Sequence, residues 1–225
     1  MIRALIFDLD DTLYPEIDFV VSGYQAVAGH AAATFGLDPD RLLANMVETL
    51  EQQGRKRVFP VLLESFPAIT LSIPELVALY RQHPPDIRLY PGYPRLLENL
   101  ACRYPLGIIT DGWPQVQRQK VRALGLDRVM DRVLYTWDYG SEKEKPHPLP
   151  FRLMLQWLHA EPASSLFVGD NPEKDGRGAL AAGMQYAHVD SCSGLGTRLG
   201  SRERDPAELR IRSLHQLPKI LQDLN

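Results

Sequence analysis

Short apolar runs alternate along this chain with amphipathic segments long enough to be helices. The runs are Ile2 to Phe7 (IRALIF), Leu106 to Ile109 (LGII), Val133 to Trp137 (VLYTW), Leu166 to Val168 (LFV) and Tyr186 to Val189 (YAHV). Runs this short and this apolar suit strands buried on both faces, which is the condition of a parallel sheet covered by helices. The intervening segments carry helix punctuation. Pro114 opens PQVQRQKVRALGL, Pro150 opens PFRLMLQWLHA and Pro172 opens PEKDGRGALAAGM, the first and third with a glycine near the end. The alternation predicts βαβ units and a parallel α/β sheet covered by helices on both faces. A final short strand (LRI) and a helix from about Ser213 to Leu224 close the domain, after a loop SCSGLGTRLGSRERDP in which Arg198, Arg202 and Arg204 read as surface charges.

Residues 14–88 interrupt the pattern. Val20, Tyr24, Val27, Ala28 and Ala31 share one helical stripe, Leu42, Leu43, Met46, Val47 and Leu50 a second, and Leu76, Leu79 and Tyr80 a third. The expected organisation is an α/β core domain from 1–13 and 89–225, with an all-helical domain inserted at 14–88. Pro91, Gly92 and Pro94 mark the return to the core. At 225 residues and 44% apolar composition the chain can bury a core, which excludes disorder as a whole-chain description.

The remaining composition narrows the partners. Against 25 basic side chains stand 28 acidic ones, with no long Lys/Arg run, so nucleic acid is not an expected partner. No window is apolar enough to span a membrane, and MIRALIFDLDD lacks the features of a secretory signal, so the expected location is the cytoplasm. Cys102 and Cys192 make no disulfide framework and no CxxC pair, which suits a reducing compartment and argues against a zinc site. Monomer and homodimer both stay open.

In open α/β sheets ligands bind beyond the carboxyl ends of the strands. At those ends stand Asp8, Asp10 and Thr12 (FDLDDTL), then Thr110, Asp111 and Gly112 (IITDG), then Lys145 (EKPHP), then Asp170 and Asp175 (VGDNPEKD). Each motif alone has an ordinary reading as a turn or a helix cap. Their order and placement together point to one site. Four carboxylates around one lysine would raise one another's pKa values unless a cation were bound, and an all-oxygen donor set selects a hard ion, Mg²⁺. The histidines at 30, 83, 159, 188 and 215 have no partners at ligand spacing and read as structural or surface residues, and the basic cluster Gly54, Arg55, Lys56 and Arg57 reads as a solvated face, with a substrate anchor as its alternative. Trp113 and Tyr14 flank the motifs and suit either packing or the entrance.

The ordered set DLDDT, TDG, KP and GDxxxxD, with a helical insert directly after the first motif, resembles the haloacid dehalogenase-like hydrolase superfamily. GALAAGM also resembles the helix that follows its fourth motif. The resemblance implies a Rossmann-like, doubly wound parallel α/β core with an all-helical cap domain at 14–88, Mg²⁺ dependence and an aspartyl-phosphate intermediate. Phosphatases of the superfamily carry a second aspartate, here Asp10, which its dehalogenases lack, because an alkoxide leaving group needs a proton and a halide does not. By that resemblance Asp8 is the nucleophile and Asp10 the acid and base. The metal ligands are Asp8, Asp170 and the main chain of Asp10, with Asp175 orienting the metal's waters or Lys145. Lys145 offsets charge, and Thr110, Asp111, Gly112 and Thr12 meet the substrate. The expected activity is hydrolysis of a small phosphorylated metabolite. A phosphomutase of the same superfamily, a phosphorylation-switched module and a catalytically silent binding protein are the alternatives. Two positions depart from the family pattern: Asp111, where Asn is common, and His147, where Asp is common. Both are expected to affect local positioning.

Overall fold

The computed structural model describes residues 1–190 and 209–224. The expected loop with Cys192, Arg198, Arg202 and Arg204 lies outside the described residues. The chain divides into two compact units, Met1–Glu16 with Arg88–Asn225, and Ile17–Ile87.

The first unit is built on six parallel strands, β1 (Ala4–Phe7), β2 (Leu106–Thr110), β3 (Arg132–Tyr135), β4 (Ser165–Gly169), β5 (Gln185–Val189) and β6 (Leu209–Ile211). Their order across the sheet is β3-β2-β1-β4-β5-β6, with every pairing parallel. The fold is therefore a Rossmann-like, doubly wound α/β sheet. β1, β2 and β4 are buried throughout, as strands covered on both faces must be, whereas edge strand β3 exposes Arg132.

Because side chains alternate across a strand, Ala4 and Ile6 point to one face with Ile109, Leu134 and Phe167. There they pack on Phe151, Met154 and Leu155 of a helix over Pro148–Trp157 and on Ala179 of another over Arg177–Ala181. The Phe151 and Phe167 rings lie 5.3 Å apart. At 25–30 cal/mol per Å² of apolar surface removed from water, this two-sided burial is what holds the strands together.

The second unit contains α1 (Glu16–Phe35, its first residue shared with the other unit), α2 (Pro39–Gln53), α3 (Val58–Ser65) and α4 (Ile73–Gln82). The three apolar stripes read from the sequence meet in one cluster: Val20, Tyr24, Val27 and Ala31 of α1 against Leu42, Met46 and Leu50 of α2 and Leu76 of α4. Two caps define ends. Asp38 accepts from the Asp40 amide, and Ser72 with Glu75 forms a reciprocal capping box before α4.

The sequence reading named no stripe for α3. Pro60 falls in the first turn, where its missing N–H has no intrahelical acceptor to lose, so Val58 and Leu62 of α3 can join the cluster.

In the first unit α5 (Tyr93–Ala101), α6 (Pro114–Ala123), α7 (Pro148–Trp157), α8 (Arg177–Ala181) and α9 (Leu217–Asp223) cover the sheet. Two helix starts are corrected. α7 begins at Pro148 rather than Pro150, because the His147 ring accepts a hydrogen bond from the Leu149 amide at 3.1 Å and caps the helix, so this departure from the family pattern serves the helix start. The segment from Pro172 is not one helix. It is a π-type turn over Pro172–Gly176 followed by the short α8. The last element likewise begins with a 3-10 turn, Leu214–Gln216, before α9.

Candidate active site

In the strand order β3-β2-β1-β4-β5-β6 the chain runs outward from β1 to β3 and then returns to β1's other side at β4. The crevice beyond the carboxyl ends of β1 and β4 is the topological switch point of a doubly wound sheet, where no helix crosses and ligands can enter. Asp8 directly follows β1 and Asp170 directly follows β4, and the Asp8 amide is held by the Val168 carbonyl at 2.9 Å.

Asp8, Asp170 and Asp175 converge: one carboxylate oxygen of each lies within 4.8 Å of the others. Asp175 reaches this cluster because the π-type turn bends it back over the end of β4, its amide bonded to the Asn171 carbonyl at 2.7 Å. Gly169 permits the approach, since a Cβ there would lie 2.2 Å from Asp175 Oδ2. Lys145, 3% exposed, ion-pairs with Asp8 Oδ1 and with Asp175 Oδ1, the latter at 2.7 Å.

Asp111 fastens this lysine. Its Oδ1 accepts from the Lys145 amide at 3.0 Å and from Thr136 Oγ1 at 2.9 Å, while Lys174 Nζ lies 3.5 Å from its Oδ2. The Asp111 side chain is thus directed at the Lys145 loop. Gly112 continues the turn at φ +111, a conformation that favours glycine. Thr12 Oγ1 lies 3.5 Å from Asp8 Oδ2, a long contact.

Asp10 belongs to a second network. Its Oδ1 accepts from Lys120 Nζ at 2.6 Å and from the Tyr14 hydroxyl, and its Oδ2 from Gln117 Nε2 at 2.8 Å. Gln117 Nε2 also donates to Thr110 Oγ1 at 2.6 Å. Directly after Asp10 the chain turns sharply: Asp11 adopts φ +57, and its carboxylate accepts from the Glu16 amide at 2.8 Å, which offsets part of the strain.

Lys120 and Gln117 escaped the sequence reading. The available signal was two polar residues, three apart, on the otherwise apolar buried stripe of α6 that includes Val116 and Val121. Tyr14, read as packing or entrance, is fully buried with its hydroxyl on Asp10. Trp113 is 46% exposed and meets Trp137 edge to face at 6.4 Å.

The two aspartates are tuned in opposite directions. Burial raises Asp8 well above the usual carboxylate range; Lys145 opposes this, while Asp175, Asp170 and Asp10 add to it. Burial would raise Asp10 as well, but the charge and hydrogen bond of Lys120, with Tyr14 and Gln117, outweigh it and hold its carboxyl below the ordinary value. Burial works against a charged Lys145, yet Asp175, Asp8 and Asp111 hold its pKa well above the usual lysine value, so it remains a cation. Asp170 is pushed up from 3.8 to about 7, first by burial and then by the charges of Asp175 and Asp11.

That last shift sets a pH dependence. Where a folded-state carboxyl pKa is raised, the native chain keeps a proton that the unfolded chain has already lost, so stability falls as pH rises through that window. Burial also raises Asp175 and Asp8, with the same sign. In buffer free of divalent cations the protein is expected to lose on the order of 2 kcal/mol of stability between about pH 5 and about pH 8, allowing for partial solvent screening. Urea unfolding across that range measures it; a midpoint that holds level or climbs with pH would contradict the expectation.

Strand-end carboxylates closing around a buried lysine, at the switch point of a doubly wound sheet, mark a candidate active site of an α/β fold. The family follows from comparison. Residues 5–189 match the haloacid dehalogenase-like hydrolases, and the chain belongs to that family. It is 30% identical over 199 residues to a glyceraldehyde 3-phosphate phosphatase of Methanopyrus kandleri, covering 84% of each chain. It is 34% identical over 171 residues to a phosphoserine phosphatase of Thermus thermophilus, covering 72% of this chain and 63% of that one. The crystal structure of a HAD phosphatase from Thermococcus onnurineus superposes with a TM-score of 0.62 at 27% identity over 98% of both chains. Among the described residues no helix is long and apolar enough to cross a membrane.

Proposed function

We propose that this chain is a Mg²⁺-dependent phosphomonoesterase that hydrolyses a small phosphorylated metabolite through an aspartyl-phosphate intermediate, with the helical unit Ile17–Ile87 as its cap domain. One observation carries the reading: a strand-end aspartate, Asp8, paired with buried Lys145 and accompanied two residues on by a second aspartate, Asp10, that a phosphate ester's leaving group requires and a halide does not. The names of the relatives favour phosphate esters as the substrate class.

The donor set fits a hard divalent cation, because Asp8, Asp170 and Asp175 offer only oxygen, and burial, followed by the charges of Asp175 and Asp11, raises Asp170 to about 7. Asp8, Asp170 and the main-chain carbonyl of Asp10 would hold Mg²⁺, which supplies positive charge against the phosphoryl oxygens. Asp175, with one oxygen on Lys145 and the other accepting from the Asn171 amide at 3.2 Å, acts by orienting that lysine.

In the reaction, an Asp8 oxygen attacks phosphorus as the bond from phosphorus to the ester oxygen breaks, and Asp10, carrying a proton against the pull of Lys120, gives it to the departing oxygen. Asp10 then takes a proton from water as the water oxygen attacks phosphorus, the bond to Asp8 breaks, and inorganic phosphate leaves. Lys145 balances the charge on Asp8 and on the phosphoryl group. Thr110, the amides of Asp111 and Gly112, and Thr12 beside Asp8 supply the polar contacts to substrate. Most of the acceleration in such a site comes from positioning and electrostatics.

The test is phosphate release from a panel of small phosphomonoesters at neutral pH, with Mg²⁺ and with EDTA. The expected result is release that EDTA abolishes and Mg²⁺ restores. Conversion of a hexose phosphate to its isomer without free phosphate would replace hydrolysis by mutase chemistry, and tight binding of an ester without turnover would point to a silent binding protein.

A further inference from the structure

We propose that Gln117 and Lys120, on one face of α6, are positioning residues that reserve a single oxygen of Asp10 for proton transfer and turn the Thr110 hydroxyl toward the substrate. This deepens the phosphatase reading and rests on it.

The argument is a count of donors and acceptors. An ionised carboxylate offers two lone-pair sites on each oxygen and can only accept. Oδ1 of Asp10 receives Lys120 Nζ at 2.6 Å and the Tyr14 hydroxyl, which fills it. Among the described residues Oδ2 receives only Gln117 Nε2, at 2.8 Å, and keeps one site. The proton that passes to the leaving oxygen, and later comes from water, therefore travels on Oδ2.

The orientation of the Gln117 amide follows from the same count. Facing an acceptor, it must present Nε2 rather than Oε1. Its second hydrogen goes to Thr110 Oγ1 at 2.6 Å, so Thr110 accepts in that bond and keeps its own O–H to donate. The hydroxyl at the end of β2 is thereby committed as a donor, which is what a phosphoryl oxygen needs. One amide thus joins the group that moves the proton to the group that holds the phosphoryl oxygen. Burial makes the arrangement stiff, since Lys120, Gln117 and Thr110 are 4%, 2% and 1% exposed. A displacement of about 1 Å at such a group costs about 10²-fold in rate.

Two kinds of ester separate the roles. An alkyl phosphate needs its leaving oxygen protonated, whereas the p-nitrophenolate of p-nitrophenyl phosphate leaves without help, and kcat/KM reports only steps through the first phosphoryl transfer. Lys120→Met is expected to lower kcat/KM on an alkyl phosphate by roughly 30- to 100-fold and on p-nitrophenyl phosphate by less than about threefold. Lys120→Arg should recover part of the alkyl rate. Gln117→Leu should weaken both esters, with a raised KM, because it also releases Thr110. In an Asp10→Ala background Lys120→Met should add nothing on the alkyl ester, since its effect runs through Asp10.

Thermal unfolding of each variant serves as the folding control, and Lys120→Gln replaces the methionine variant if that fails to fold. Equal losses on both esters for Lys120→Met, or a full additional loss in the Asp10→Ala background, would overturn the proposal while leaving phosphatase activity established by the parent enzyme. A parent enzyme that releases no phosphate from either ester would overturn the phosphatase reading and this proposal together.

Discussion

Asp8→Asn is expected to abolish phosphate release, lowering kcat by at least about 10⁴-fold. The substitution keeps the size and shape of the side chain but removes the nucleophile. An amide at this position cannot form the aspartyl phosphate, and no other carboxylate follows β1 so directly. The fold should survive. Burial raises the Asp8 pKa, so a neutral side chain relieves part of that desolvation cost, while Lys145 keeps Asp175 as its partner at 2.7 Å. Stability in divalent-free buffer is expected to stay within about 1 kcal/mol of the parent or to rise, the trade-off found where function requires a buried charge. Acid-quenched mass spectrometry should find a phosphoryl group on the peptide containing Asp8 in the parent and none in the variant. Turnover above a tenth of the parent's would remove Asp8 as nucleophile.

Lys145→Met is expected to produce the largest loss of stability, about 3–5 kcal/mol near pH 8, together with loss of turnover. Lys145 is the cation between two buried carboxylates, Asp8 and Asp175. Removing it leaves both without compensation in a site where burial already disfavours their charge. The sign of the pH dependence follows. Without the ammonium, the carboxyl groups regain neutrality by binding protons, so the penalty should shrink as pH falls toward about 5. Chemical denaturation of parent and variant at both pH values measures the difference. A penalty independent of pH would mean that packing of the lysine stem, rather than charge, dominates the site's energetics.

The class of the fold was legible because parallel strands buried on both faces leave a mark that survives without coordinates. LGII, LFV and YAHV contain almost nothing polar, and each lies within a residue of an observed strand. Helix boundaries were less legible wherever a proline had two readings. Pro150 looked like a helix start, although His147 caps a helix that begins two residues before it, at Pro148. A local pattern records propensity; the position of a proline relative to a cap depends on which amides the folded chain leaves without partners.

The candidate site divides in the same way. Asp8, Thr110, Lys145, Asp170 and Asp175 stood out because each belongs to a strand end or the loop beyond it, and strand ends can be read from sequence. That Asp175 returns over Gly169 to meet Lys145 could not be read, because it depends on a π-type turn that no periodicity announces. Gln117 and Lys120 were invisible for a related reason: a buried polar residue on a helical stripe looks like an interruption until its partner is known.

The sequence by itself determined the alternation of strand and helix, the insertion of a helical segment after the first strand, and the acidic residues at the strand ends, because hydrophobic periodicity and turn chemistry are properties of neighbours along the chain. Only the tertiary structure decided which oxygen each carboxylate gives to which partner, and so why Asp8 is held high in pKa beside Lys145 while Asp10, two residues away, is held low beside Lys120. Those pairings join residues more than a hundred positions apart. Their energies depend on burial and distance, which exist only once the sheet has brought the strand ends together.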